Sequence, residues 1–213
     1  MENMYVVSLN ILNALQQRED MKELMNTIKN YDLRTYTHSI NVAKTACLVA
    51  LHYHIQKRIE KQEVVDITQG AMLHDIGKVV IPQKIINKPD RLSLNEYDII
   101  KQHPLVGYQY CKKFYVLPDT VCRIILEHHE RIDGSGYPKA LDATRLCLGS
   151  KIVMVCDSID AIMQERSYKS AISKIEAIRK IKEESMTQYD AEVLNIIFSQ
   201  KSSVREKENF YEL

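Results

Sequence analysis

The sequence is poor in the residues that punctuate chains, with six glycines and five prolines among 213 residues. Alternating β-branched segments are nearly absent as well, whereas apolar residues recur at a helical 3.6-residue period, so the chain reads as helical throughout. The five cysteines, Cys47, Cys111, Cys122, Cys147 and Cys156, are odd in number and widely spaced. That argues against a disulfide framework and against a cysteine-rich zinc site. They read as reduced thiols filling small core positions, and the cytoplasm is the expected compartment. The N-terminus lacks a basic region followed by an apolar core, so no signal peptide is expected. No stretch approaches about eighteen uninterrupted apolar residues, so no membrane span is expected. A formal net charge of +1 leaves no global basic field for nucleic acid or an anionic membrane surface. Any anionic substrate must be held by local groups.

What is present is ordinary globular material, 45% hydrophobic and 27% charged, in a chain long enough to bury a core. Val7, Ile11, Ala14 and Leu15 line one face of a first helix, and Leu24, Met25 and Ile28 continue after a polar break. A long helix is expected from about Arg34 to about Arg58, with Val42, Ala46 and Val49 inward. Another starts near Glu63 and ends at LHDIGK, where Gly77 supplies the stop. The segment VVIPQKIINKPDRL, with its two prolines, reads as an irregular connector. SLNE at 93–96 has the form of a capping box. Asp119 is placed to cap a helix reaching Glu130, and further helices are expected over about 148–164, from SKIE at 173–176 to about Ser185, and after Asp190. The expected fold is therefore all-α: a single-domain helical bundle over 31–200, with an N-terminal helical extension over 1–30 and a charged tail over 201–213.

Five of the seven histidines sit in suggestive settings. His74 and Asp75 are adjacent at one predicted helix end, and His128 and His129 at another. Neighbours on a helix diverge by about 100° and cannot share a target from its middle. At a terminus the backbone can re-aim both, and a nearby glycine makes the turn accessible: Gly77 in one case, Gly134 and Gly136 in the other. Imidazole and carboxylate without thiolate suit hydrolytic iron, manganese or zinc. His38, His74, Asp75, His103, His128, His129 and Asp157 are too many for one ion and about right for two sharing a bridging carboxylate. His52 and His54 have no partner at ligand spacing and read as solvent or packing residues.

HDIGK at 74–78 resembles the signature of the HD phosphohydrolase superfamily, which is all-α and metal-dependent. Combined with HHERIDGSGYP at 128–138 it resembles the narrower HD-GYP family of cyclic di-GMP phosphodiesterases. HSINVA at 38–43, HPLVG at 103–107 and CDSIDAIMQERSYK at 156–169 keep the family's motif order, and the likeness runs from about Tyr31 to about Phe198. The resemblance implies two divalent ions, iron or manganese. His38, His74 and Asp157 would hold one, His103, His128 and His129 the other, with Asp75 bridging. Lys78 would contact a substrate phosphate, with Arg166 and Lys169 at positions of further substrate contact. The implied reaction is hydrolysis of cyclic di-GMP to pGpG, and onward to GMP, by a metal-bridging hydroxide. Implied partners are GGDEF-domain proteins through the Gly-Tyr-Pro loop, and the N-terminal helices either cover the domain's own core or form a homodimer. The alternative is a weakly active or inactive cyclic-dinucleotide-binding and interaction module acting through that loop.

Three departures stand out. Some relatives carry a glutamate one turn before the first histidine and use it for a third metal; here that position is Arg34, so a two-metal centre is expected and Arg34 becomes a candidate contact for substrate phosphate. Met186 and Ala191 replace a glycine and a proline near the last helix. Ile132 replaces an aromatic residue in the His-His-Glu-Arg motif. No candidate ligand is lost.

Overall fold

The computed structural model describes residues 3–165 and 187–203. Among these, ten α-helices appear and no strand: α1 Met4–Gln17, α2 Glu19–Tyr31, α3 Leu33–Ile55, α4 Lys61–Leu73, α5 Gln83–Ile86, α6 Leu94–Ile100, α7 His103–Phe114, α8 Asp119–Glu127, α9 Leu148–Glu165 and α10 Ala191–Ser203. A 3-10 helix, Ile76–Val80, follows α4. Arg166, Lys169, the helix expected from SKIE, Met186 and the tail beyond residue 203 lie outside the described residues.

Local chemistry sets the helix starts. The Asp32 carboxylate accepts from the Thr35 amide at 2.9 Å and opens α3. The expected capping box forms, with Ser93 Oγ accepting from the Glu96 amide and the Glu96 carboxylate accepting from the Ser93 amide. Asp190 caps α10 through the amides of Glu192 and Val193. The cap at α8 differs from expectation. Pro118 holds the capping position and Asp119 is the first helical residue. The helix ends at Glu127 rather than Glu130, because the Glu130 carboxylate is bonded to the amides of Lys139 and Leu141 in the following loop. The connector after Gly77 is also more ordered than its prolines suggest: the 3-10 helix and α5 occupy it, tied back by the Gln83 side chain to the Tyr31 carbonyl at 2.9 Å.

α3 is the spine of the bundle. Its small inward residues Ala43, Ala46 and Ala50 are fully buried beside Val42 and Val49, which lets α4 and α9 pack closely on it. α1 and α2 lie against α3 from another side. Met21, Leu24 and Ile28 of α2 are fully buried in the same core, each worth about 1.5–3 kcal/mol of apolar transfer. In α1 the buried apolar residues are Ile11, Leu12 and Leu15, while Ala14 is exposed; the inward face is rotated towards Leu12 relative to the expected stripe. His54 serves packing as expected, with Nδ1 on the Ile59 carbonyl at 2.9 Å.

Candidate metal centre

The seven candidate ligands converge from five places in the chain. His38 comes from α3, His74 and Asp75 from the turn after α4, His103 from the first turn of α7, His128 and His129 from the end of α8, and Asp157 from α9. They form two sets: Asp75, His103, His128 and His129 in one, His38, His74 and Asp157 in the other, each with its donor atoms within 4.8 Å of one another. The adjacent histidines His128 and His129 fall in one set, with ring centroids 4.2 Å apart.

Helix ends explain how three of these rings are aimed. The last carbonyls of a helix have no amide partner within it. His74 Nδ1 donates to the Ala71 carbonyl at 2.8 Å, His128 Nδ1 to the Ile125 carbonyl at 2.9 Å, and His103 Nδ1 to the Ile100 carbonyl at 2.7 Å. A carbonyl only accepts, so each Nδ1 carries the proton and each Nε2 presents a lone pair to the cavity. His103 Nε2 and His128 Nε2 then face each other at 3.0 Å, an arrangement of two lone pairs that a shared cation relieves. His74 Nε2 and Asp75 Oδ1 are buried without a hydrogen-bond partner among the described residues. Orphaned donor atoms of these types, in these sets, fit divalent metal ions.

Asp75 lies between the two sets. Its Oδ1 is 3.2 Å from His103 Nε2, while its Oδ2 is 3.4 Å from His74 Nε2 and 2.6 Å from Lys78 Nζ. Burial disfavours its charge, but Lys78 and the neighbouring histidines outweigh that and hold its carboxyl well below the usual range. Asp157 is likewise depressed, burial being overridden by the His38 hydrogen bond and the nearby imidazoles. Burial pushes His128 well below its ordinary value and His129 down to about 3. Ionised carboxylates and neutral imidazoles are the states a cation requires. His38 is the exception: burial would lower it, yet hydrogen bonds to Asp157 at 2.9 Å and Asp160 at 2.6 Å raise it to about 10.

Asp160 was not among the sequence candidates. Its signal was its place three residues after Asp157, on the same face of α9. Its carboxylate takes His38 Nδ1 and so leaves Nε2 turned to Asp157. Gly77 has a different role from the one expected. α4 already ends at Leu73, and a Cβ on Gly77 would lie 2.0 Å from the His103 carbonyl oxygen. The bare glycine lets α7 approach the HDIGK turn closely enough to deliver His103. In the opening of the Gly-Tyr-Pro loop, a Cβ on Gly136 would fall 2.3 Å from Glu130 Cα, so that loop folds directly back on the histidine pair. Glu130 holds the loop rather than an imidazole. Tyr137 stacks on His129 at 4.9 Å between centroids and an interplanar angle of 28°.

Six of the seven, all but His74, line a cleft of about 1090 Å³. Lys78 lines it, as does Arg34. The Arg34 guanidinium bonds to Asn87 and lies 3.7 Å from Asp32, with 70% of the side chain exposed; it belongs to the rim rather than to the histidine cluster.

Fold and site together define an all-α protein with a histidine–aspartate centre suited to two metal ions. The chain belongs to the HD domain family, which matches residues 23–193. It is 36% identical over 159 residues to cyclic di-GMP phosphodiesterase PA4108 of Pseudomonas aeruginosa, covering 73% of this chain and 37% of that protein. Over 180 residues it is 31% identical to 3'3'-cGAMP-specific phosphodiesterase 1 of Vibrio cholerae, covering 84% of this chain and 39% of that protein. Bd1817, an HDG"Y"P protein from Bdellovibrio bacteriovorus, shares the fold with a TM-score of 0.63 at 22% identity, over 78% of this chain and 51% of that one. These relatives bear out the HD-GYP resemblance read from the motifs. The chain spans less than half the length of the curated relatives it matches. No helix among the described residues is long and apolar enough to cross a membrane.

Proposed function

We propose that this chain is a metal-dependent phosphodiesterase that opens cyclic di-GMP to pGpG and carries on to GMP. The observation that carries the reading is the pair of donor sets meeting at Asp75, with His74 Nε2 and Asp75 Oδ1 buried and without a hydrogen-bond partner among the described residues. His38, His74 and Asp157 would hold one ion and His103, His128 and His129 the other, with Asp75 shared; iron and manganese match the donor types. Ions held there would supply Lewis acidity towards a phosphoryl oxygen and towards water. Lys78 supplies a fixed cation in the cleft wall: burial opposes its charge, but Asp75 outweighs this and raises it, so the ammonium persists at neutral pH and can meet charge developing on phosphate oxygens. Arg34 at the rim, together with Arg166 and Lys169, completes the proposed phosphate contacts. With a cation at position 34 where a third carboxylate ligand would otherwise stand, the centre is proposed to take two ions.

Relatives named for cyclic di-GMP and for 3'3'-cGAMP share one chemistry, a cyclic dinucleotide phosphodiester. The non-catalytic alternative is not favoured, since all seven ligand positions hold donor side chains. The cytoplasm remains the proposed compartment, supported by five free thiols. Contact with GGDEF-domain proteins remains a proposal from the resemblance alone, and dimerisation a proposal from the amphipathic N-terminal helices; the packing of α1 and α2 on α3 supports the reading that they cover the domain's own core.

The test is metal analysis of anaerobically purified protein, then turnover of cyclic di-GMP with iron or manganese. Two ions per chain are expected. His74→Ala and Asp75→Ala should lose both metal and turnover while keeping helical circular dichroism. Turnover surviving Asp75→Ala would overturn the shared-carboxylate reading, and three ions per chain would overturn the two-metal reading.

A further inference from the structure

α6 runs almost directly into α7, so Tyr97 and Lys101, one helical turn apart, line the same cleft as His103 and Asp75. Lys101 Nζ lies 5.5 Å from the Tyr97 ring centroid and 5.4 Å from that of Tyr137. Its carboxylate neighbour Asp98 is 3.9 Å away on a side chain 70% exposed, a pairing of little strength. Lys78 and Lys88, which also line the cleft, are each bonded at 2.6 Å to a carboxylate, Asp75 and Glu96 respectively. Lys101 is instead an ammonium held between two aromatic rings. Tyr137 is already engaged by His129, whereas Tyr97 is 48% exposed and keeps ring surface open at the cleft mouth.

We propose that Tyr97 and Lys101 form a base-binding subsite, in which a purine stacks on the Tyr97 ring and Lys101 selects guanine. The proposal rests on the phosphodiesterase reading and names which base that site prefers. Stacking on an aromatic ring accepts any base, because every base has a π-face. Selection must come from the base edge. Guanine presents two adjacent acceptors, N7 and O6, whereas adenine presents an acceptor beside an amino donor. A lysine ammonium has three donors and no acceptor. It therefore matches guanine and meets a like group at the adenine N6 position. A cation–π contact near 5.5 Å is at the weak end of its range, so the flexible lysine stem can move Nζ from the ring face to the O6 edge of a stacked base. Lys101 stands two residues before His103, which ties the base subsite to the element carrying a candidate ligand.

The experiment uses the full chain loaded with manganese, and measures kcat/KM for cyclic di-GMP and cyclic di-AMP alongside calorimetric binding of GMP and AMP. Wild type, Lys101→Met, Lys101→Arg and Tyr97→Leu are compared. Lys101→Met should reduce the guanine-over-adenine ratio about tenfold, within the range of one charged contact to a base edge, with metal content unchanged. Lys101→Arg should restore the ratio, and Tyr97→Leu should weaken both ligands alike. An equal loss for both bases in Lys101→Met would mean a phosphate contact and overturn the subsite, as would an unchanged ratio. If wild type cleaves neither dinucleotide yet binds GMP over AMP through Lys101, the phosphodiesterase reading fails and the subsite stands.

Discussion

Replacing Gly77 with alanine puts a methyl group 2.0 Å from the His103 carbonyl oxygen and 2.7 Å from the Gly107 amide nitrogen. Both are backbone atoms of α7, so no side chain can rotate away. Reaching ordinary contact near 3.4 Å requires α7 to move by more than an ångström relative to the HDIGK turn. Metal sites tolerate ligand displacements of about 0.2 Å, so His103 should leave the set that includes Asp75, His128 and His129. Overpacking of this kind costs about 1–3 kcal/mol, a fall in Tm of a few to about ten degrees for a chain of this size. Such a protein remains folded. The assay is metal content per chain with a thermal melt, and the expected result is a folded protein short of one ion. Gly134→Ala is the control: its φ of +77° makes alanine strained, but the nearest atom to its Cβ is the Ala140 carbonyl oxygen at 3.7 Å. It should lose about 1–2 kcal/mol and keep its metal. If Gly77→Ala retains a full complement of metal, the close approach of α7 is not what delivers His103.

Two further expectations concern groups outside the ligand sets. Asp160→Asn removes the carboxylate that takes His38 Nδ1 at 2.6 Å and should weaken metal affinity about 10–100-fold, as loss of a ligand-orienting partner does elsewhere; unchanged affinity in a competition titration would show that Asp160 does not orient the ring. Glu96 is drawn down to about 2 by its hydrogen bond to Lys88, then by the Ser93 amide. A carboxyl depressed by folding contributes stability that is complete above its unfolded value of 4.5 and lost as pH falls towards 2. The start of α6 should therefore loosen in that window, read from the Ser93 amide resonance, and Lys88→Met should shift the Glu96 titration upward; a titration indifferent to Lys88→Met would remove the ion pair as its cause.

The relation between sequence and site differs from residue to residue. The capping box of Ser93 and Glu96, the Asp190 cap and the helical period of α3 are local, and they formed as read because their partners lie within a turn or two of chain. The His74–Asp75 and His128–His129 pairs were legible for the same reason: adjacent side chains that converge need a helix end, and residue type and spacing announce one. Where the reading missed, a distant group had intervened. α8 stops at Glu127 because Glu130 is bonded to amides nine and eleven residues further on. Gly77 looked like a helix stop, yet its work is to admit the backbone of α7, which no local pattern displays. Arg34 shares a helix face with His38, as the spacing requires, but its guanidinium is drawn to Asn87, more than fifty residues later.

From the sequence alone came the all-α class, the HD-GYP resemblance and the seven donor side chains, because ligand chemistry is a property of residue type and helix ends are written locally. Only the tertiary structure decided how five segments meet: which carbonyl each imidazole bonds, that Asp75 stands between the two sets, that Asp160 backs His38, and that Tyr97 and Lys101 face the same cleft. Those depend on helix packing between segments far apart in the chain, and the distances that make a metal site are set by that packing.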